Sequence, residues 1–330
     1  MGSKSVVGTK TFTCIQSGKK MIWDKGASQS PGKNINAREQ AYNLIRQAQS
    51  SSKGASSKRD ITIVSHPTTK QADLDEIRTR ANDAINFFGA DASGERLHII
   101  VGNMASLSWT REELGKVQPA QLSEHSNWER MISSFVNANN RCNLWNAGSH
   151  GFTSDGAGLI TVTFARNDCT NTNPRDLVWK TTVEHEVVNH LQNRWLKGRV
   201  DLMPCWLNEG QAVYYGSVLG TAKNFSEFKE VFSLHKRFKR ENLMTAAKRL
   251  GYGIDMSYCG NQGGYEAGRL LVEQLIIEFG HVSLIDYTKS IVDTPGPDRE
   301  KWEVAFEQHF KISYDKWLEK VVPEIERREL

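Results

Sequence analysis

From residue 176 to the last residues of the sequence, apolar side chains recur three and four positions apart with only short interruptions. This is the spacing of one face of an α-helix, and such a face has to be buried against other elements. The second half of the chain is therefore expected to be an assembly of helices. The predicted helices span residues 176–198, 204–220, 226–251, 264–280, 282–292, 299–310 and 313–328.

The first half of the chain has a different pattern. Short apolar runs rich in β-branched residues predict strands at 61–65, 96–102 and 159–165. Amphipathic segments predict helices at 71–89 and 124–140. Together the two halves predict an α+β fold, in which a mixed part with a small sheet is followed by a mainly helical part.

A stretch rich in Ser, Gly and Lys at 50–60 predicts a flexible linker. Residues 1–60 are therefore expected to form an N-terminal arm, with a short hairpin at 10–25. The main domain is expected to span 61–330, with an α+β half at 61–198 and a helical half at 199–330.

The N-terminal arm is strongly basic. Residues 1–60 hold 11 Lys or Arg against 3 Asp or Glu, so the rest of this chain of net charge +4 carries −4. Such an arm can contact an anionic surface such as a bacterial envelope. The alternative, which such a composition more often indicates, is a solvated flexible leader. Nucleic acid is not an expected partner, because aromatic residues are not interleaved with the basic ones. No apolar run approaches the roughly 18 residues of a transmembrane helix.

The stretch Glu184 to His190, EHEVVNH, contains the strongest candidates for metal-binding and catalytic residues. It places His185 and Glu186 on a long helix, and two later motifs add Glu209 in WLNEG and Tyr265 in GGYEAG. Two His and one Glu are a known ligand set for catalytic zinc, which leaves one position for water. A second carboxylate can then act as general base, and a Tyr hydroxyl can stabilise the tetrahedral intermediate.

These three motifs, in this order, resemble the gluzincin zinc metallopeptidases, similar to the aminopeptidase N-like family. That family carries H-E-x-x-H, about 18 residues, then a Glu in W-L-x-E-G, and later Y-E-x-G. The resemblance covers roughly 60–330 and implies a thermolysin-like fold. It also implies that Zn²⁺ is bound by His185, His190 and Glu209, with Glu186 as general base and Tyr265 as intermediate stabiliser. The Gly-rich segment at 156–158 lies where the family keeps its substrate-binding edge strand.

The sequence departs from the family because His190 stands five residues after His185, and Asn189 occupies the usual position. Positions i and i+5 are about 140° apart on an α-helix, so a shared ion requires an inserted residue, formed as a π-bulge. The H-E-x-x-x-H spacing resembles dipeptidyl peptidase III. The alternative frame keeps the helix regular, with Asn189 in the ligand position and Gln192 completing H-E-x-x-N-x-x-Q. An amide is a poor zinc ligand, so this frame predicts weak or no zinc binding.

Two functions follow from the two frames. The first is zinc-dependent hydrolysis of a peptide or protein substrate, and the second is a catalytically inactive pseudopeptidase that acts as a binding or scaffold protein. The leader-like segment 1–25 favours a secreted or extracytoplasmic location in a bacterium, whereas the five cysteines suit either an exported protein with two disulfides or a cytosolic one with free thiols. Motif position suggests disulfides between Cys205 and Cys259 and between Cys142 and Cys169, although no CxxC pair fixes the connectivity.

Overall fold

A computed structural model describes the chain in eleven stretches, and the predicted helix at 124–140 lies outside them. The described residues are 4–7, 10–17, 20–23, 27–28, 36–52, 60–121, 145–164, 181–221, 224–234, 242–252 and 263–329.

The N-terminal residues form a small antiparallel sheet. Its strands are β1 (Lys4–Val7), β2 (Lys10–Ser17), β3 (Lys20–Trp23) and β4 (Ala27–Ser28). Strand β2 is central and pairs with the other three. The hairpin predicted at 10–25 is confirmed, since Ser17 pairs with Lys20 across the turn. Strands β1 and β4 were not predicted.

A second, mixed sheet supports the candidate site. Its strands are β5 (Asp60–Ser65), β6 (Arg96–Asn103), β7 (Trp145–Phe152) and β8 (Gly158–Phe164), in the order β5-β6-β8-β7. Strands β5, β6 and β8 run parallel to one another, and β7 pairs antiparallel with β8. Helix α2 (Gln71–Phe88) connects β5 to β6, as predicted, and α3 (Leu107–Val117) follows β6.

The remaining described helices follow the predicted order. They are α1 (Ala37–Ser52) before the mixed sheet, then α4 (Thr182–Trp195), α5 (Cys205–Gly220), α6 (Phe225–Leu234), α7 (Leu243–Tyr252), α8 (Gly264–Phe279), α9 (His281–Ser290), α10 (Lys301–Phe310) and α11 (Tyr314–Glu329). The segment 226–251, predicted as one helix, contains α6 and α7. The protein has the α+β fold that the sequence predicts.

Helix α1 packs into the main core, although the sequence analysis assigned its residues to a separate arm. Ala41 and Ile45 are fully buried, and the Tyr42 ring lies 5.1 Å from that of Phe228 in α6. Arg38 pairs with the buried Glu273 of α8 at 2.9 Å. The apolar face of α1 thus contributes to the same core as the helices after residue 180.

None of the helices in the described stretches combines the length and the hydropathy that crossing a membrane requires.

Candidate functional site

Helix α4 positions the EHEVVNH stretch. Its apolar residues Val183, Val187 and Leu191 are fully buried, and they fix which way the helix faces. The helix ends at Trp195 with Leu196 as its C-cap, and the chain then turns through Lys197 and Gly198. Gly198 has a φ of 85° and donates its N–H to the Asn193 carbonyl at 2.9 Å. A positive φ at this position favours glycine.

The glycines of the two later motifs bring α5 and α8 together. A Cβ atom built on Gly210 would lie 2.4 Å from the Gly268 carbonyl carbon, and one built on Gly268 would lie 2.3 Å from the Trp206 carbonyl oxygen. The two helices therefore touch backbone to backbone, which only glycine permits. This crossing brings Glu209, beside Gly210, towards Tyr265, which begins α8.

Five side chains meet where α4, α5 and α8 approach one another, and we call them the candidate site: His185, Glu186, Asn189, Glu209 and Tyr265. His185 Nε2 lies 3.5 Å from Glu209 Oε2 and 4.0 Å from Glu186 Oε1. Asn189 Nδ2 donates a hydrogen bond of 3.3 Å to Glu186 Oε2. The ring centroids of His185 and Tyr265 are 5.8 Å apart. Four of the five residues that the family resemblance implied are thus neighbours.

Burial and mutual charge set the protonation of the candidate site. Burial raises the pKa of Glu186 above its usual value, although the neighbouring His185 opposes the shift. For His185, burial lowers the pKa, but the contacts with Glu209 and Glu186 outweigh burial and raise it overall. The charge on Glu209 and burial raise the pKa of Tyr265 well above its usual value. Tyr265 therefore keeps its phenolic proton and can donate a hydrogen bond.

The structure places His190 away from the candidate site. Its Nε2 lies 2.8 Å from Glu95 Oε2, and Arg194 Nε lies 2.7 Å from the other oxygen of the same carboxylate. The His190 ring is fully buried, and a Cβ atom built on Gly158 would lie only 2.4 Å from it. The Phe152 ring contacts its other side at a centroid distance of 5.5 Å. His190 thus packs under the mixed sheet.

The π-bulge expected from the H-E-x-x-x-H frame is absent from α4, all of which the structure describes. Each of the 14 residues from Thr182 to Trp195 is α-helical. On a regular helix Asn189 lies about 40° from His185, whereas His190 lies about 140° away. Asn189 therefore shares the face of His185.

A buried amide cluster explains the role of Gln192. Its Nε2 donates 2.9 Å hydrogen bonds to the Asn208 carbonyl and to Gln211 Oε1, and Asn208 Nδ2 returns a 2.9 Å bond to Gln192 Oε1. Gln211 in turn donates to Thr288 Oγ1 at 2.7 Å. This network joins α4 to α5 one residue before Glu209. The H-E-x-x-N-x-x-Q pattern was the signal in the sequence for this arrangement.

The edge strand of the mixed sheet is β7, so the expectation that the strand after 156–158 forms the edge was wrong. Strand β8 lies between β6 and β7, whereas no other described strand pairs with the outer side of β7. The Ser149 backbone of β7 lies near Glu186 and partly opposes the burial that raises the pKa of this carboxyl. The edge of the sheet therefore runs beside the candidate site. Its glycines, Gly148 and Gly151, and its few β-branched residues hid it from sequence analysis.

The residues of the candidate site do not fit the two-His, one-Glu zinc set. His185 and Glu209 are ordinary zinc ligands, but the third neighbour, Asn189, offers an amide oxygen, which suits harder cations. That oxygen, Oδ1, and Glu209 Oε2 are both buried without a hydrogen bond. Within the described stretches, no three His, Cys, Asp or Glu side chains are grouped as a metal site.

Comparison with known proteins gives no family or relative for this chain. No family model matches the sequence, and neither a curated protein nor a solved structure matches it.

Proposed function

We propose that this protein binds polypeptide segments in a gluzincin-like cleft and does not hydrolyse them by zinc catalysis. One observation carries the proposal: Asn189, and not His190, lies beside Glu186 and His185. Asn189 Nδ2 donates to Glu186 Oε2 at 3.3 Å, while His190 is held by Glu95 at 2.8 Å. The side chain that would be the second imidazole ligand is an amide.

Moving His190 into the cleft would cost free energy. The ring would have to leave a fully buried position and rotate about 100° around the helix, which an α-helix does not allow without rearranging a turn. Glu95 would lose its hydrogen bond with His190 in a buried setting and keep the one with Arg194, and losing a hydrogen bond to a buried charged group costs about 1–3 kcal/mol. The free energy of zinc binding through His190 would have to offset both costs.

Strand β7 provides the surface for a polypeptide segment. An extended peptide can add to an exposed sheet edge through main-chain hydrogen bonds, and neighbouring side chains then give specificity. Such a peptide would lie next to Glu186, because the Ser149 backbone of β7 is close enough to that carboxylate to lower its pKa. The raised pKa of Tyr265 keeps its hydroxyl available as a donor to a peptide carbonyl.

Zinc-dependent peptide hydrolysis is the second candidate function. It is favoured by the convergence of His185, Glu186, Glu209 and Tyr265, the residues that the gluzincin resemblance implied. In this case Glu186 would accept the proton of the attacking water and Tyr265 would donate to the oxygen that gains charge. A bound Zn²⁺ would supply the acidity of that water, with His185 and Glu209 among its ligands.

Metal content distinguishes the two candidates. We expect far less than one zinc per wild-type chain by inductively coupled plasma mass spectrometry. The variant Asn189→His, which restores H-E-x-x-H on a regular helix, is expected to bind about one zinc per chain. The matched variant His190→Gln keeps a donor for Glu95 and should leave metal content unchanged. One zinc per wild-type chain that is lost in His190→Gln would overturn the proposal.

Peptide binding needs its own measurement. Wild-type protein in a metal chelator is expected to bind a subset of an extended-peptide array, and Ser149→Pro, which blocks the edge of β7, should reduce that binding with unchanged circular dichroism. Cleavage of the same peptides by wild-type protein, abolished by Glu186→Gln, would instead establish the hydrolase.

Secretion of the protein and contact of its basic arm with an anionic envelope are part of the same proposal. Cys205 is disulfide-bonded, which supports an oxidising compartment and hence secretion. Cys142, Cys169 and Cys259 lie outside the described residues, so the pairings of Cys205 with Cys259 and of Cys142 with Cys169 stay predictions. Basic residues 1–60 would hold the protein on an anionic envelope. Deletion of residues 1–35, which spares α1, should abolish a salt-sensitive pulldown with envelope polymer.

A further inference from the structure

Outside the candidate site, a cavity is lined by residues of α2, of the first turn of α4 and of the end of α5. We call it the acidic cavity, and its volume is about 380 Å³. This is within the range of small-ligand sites. Residues that line it include Asp75, Glu76, Arg80, Asp83, Glu184 and Leu219.

The charges of the acidic cavity are unbalanced. Among the described residues, four acidic side chains line it against one guanidinium, that of Arg80. Arg80 bridges Glu76 at 2.9 Å and Glu184 Oε1 at 3.0 Å. Burial raises the pKa of Glu184 to about 7, but Asp75, Glu76 and Asp83 still outnumber Arg80, so the cavity attracts a further cation.

Glu184 is the buried polar group that makes the acidic cavity a candidate binding site. It is only 2% exposed, and its second oxygen, Oε2, is buried without a hydrogen-bond partner. A buried carboxylate oxygen that makes no hydrogen bond costs about 1–3 kcal/mol or more. A ligand with N–H donors that reaches Oε2 would recover that cost.

Part of the lining of the acidic cavity is apolar. Leu219 is 4% exposed and lines the cavity beside Gly220. An alkyl chain can pack against such a wall while a charged head reaches the carboxylates. A bare metal ion would use neither the apolar wall nor a volume of this size.

We propose that the acidic cavity binds an alkylammonium group, such as the side chain of a lysine, with the ammonium between Glu184 and the carboxylates of α2. The three donors of an ammonium group can bond Glu184 Oε2 and two further oxygens. The exposed carboxylates Asp75 and Asp83 lie at the mouth and would attract the cation before it enters.

Isothermal titration calorimetry with cadaverine at low salt tests the proposal. We expect saturable binding of one diamine per wild-type chain, weakened about tenfold by Glu184→Gln, an isosteric change that removes one charged acceptor. Asp83→Asn should weaken binding two- to fivefold, since Asp83 is exposed and the change leaves the fold intact. The matched variant Glu319→Gln, an exposed carboxylate on α11, should bind like the wild type.

Three outcomes would overturn the proposal. The first is the absence of saturable binding by the wild type at millimolar cadaverine. The second is binding of calcium or magnesium ions that Glu184→Gln abolishes while cadaverine fails to bind or to compete, which would make the acidic cavity a metal site. The third is equal cadaverine affinity of Asp83→Asn, Glu184→Gln and wild type, which would place the amine elsewhere.

Discussion

The crossing of α5 and α8 gives the sharpest stability prediction. In Gly268→Ala the new Cβ atom would lie 2.3 Å from the Trp206 carbonyl oxygen and 2.8 Å from Gly210 Cα. Ordinary contacts to a Cβ atom begin at 3.4 Å, so α5 and α8 would have to separate by about 1 Å. The opposing atoms belong to the backbone of α5, and a change of side-chain rotamer therefore cannot relieve the overlap.

The sign of the effect tests this reasoning. Overpacking costs about 1–3 kcal/mol, and we take the upper end because a gap of about 1 Å also removes up to half of the dispersion energy of the facing atoms. Alanine in a helix gains about 1 kcal/mol over glycine. We expect Gly268→Ala to lower the free energy of unfolding by about 2 kcal/mol, whereas without the close crossing it would raise it by about 1 kcal/mol.

Urea unfolding followed by tryptophan fluorescence measures the difference, with the slope against urea checked for constancy. Gly251→Ala is the matched control, because its Cβ atom would meet only the Trp302 and Tyr314 side chains, at 3.3 Å. It should change stability by less than about 1 kcal/mol. A Gly268→Ala protein as stable as the wild type, or more stable, would show that the helices are not in backbone contact there.

Two further changes test the buried polar groups around α4. Gln192→Leu should lower the free energy of unfolding by about 3 kcal/mol, because it leaves Asn208 without its amide partner in a buried setting; a loss below about 1 kcal/mol, measured by urea unfolding, would contradict this. Although burial raises the pKa of Glu95, its hydrogen bonds with His190 and Arg194 outweigh burial and lower it overall. The stability that Glu95 contributes is therefore present above its unfolded-state pKa and is lost as pH falls through the lower folded-state pKa. Glu95→Gln should cost about 2 kcal/mol at neutral pH and progressively less in acid, and a difference independent of pH would refute this assignment.

The helices after residue 180 could be predicted because their apolar residues have to be buried, either on one face or, as in α5 and α8, nearly all round. Helix α8, with its run of leucine and isoleucine, begins and ends within a residue of its predicted bounds. Strand β7 could not be predicted in the same way. It holds Gly148 and Gly151, and its antiparallel place beside β8 comes from tertiary pairing rather than from local preference.

The N-terminal arm shows a second limit of prediction from the sequence. The Ser- and Gly-rich stretch at 50–60 predicted a linker, and a linker suggests that whatever precedes it is separate. Yet α1 buries Ala41 and Ile45 against the main core. Composition can indicate where a chain is flexible, but it does not tell which elements on either side of that point pack together.

Two sequence intervals gave opposite predictions of whether His190 or Asn189 lies beside His185. The structure shows which of the two intervals is physically rigid. Eighteen residues separate His190 from Glu209, as in the gluzincin pattern, while Asn189 keeps the four-residue step from His185. The first interval crosses the connection between α4 and α5, which can gain or lose a residue without disturbing either helix. The second lies inside α4, where one added residue would turn every following side chain by about 100°. Gln192, bonded to Asn208, fixes the two helices relative to each other whatever the length of the connection. The spacing inside the helix therefore outweighs the spacing between helices, and it puts an amide where a zinc peptidase of this kind has its second imidazole.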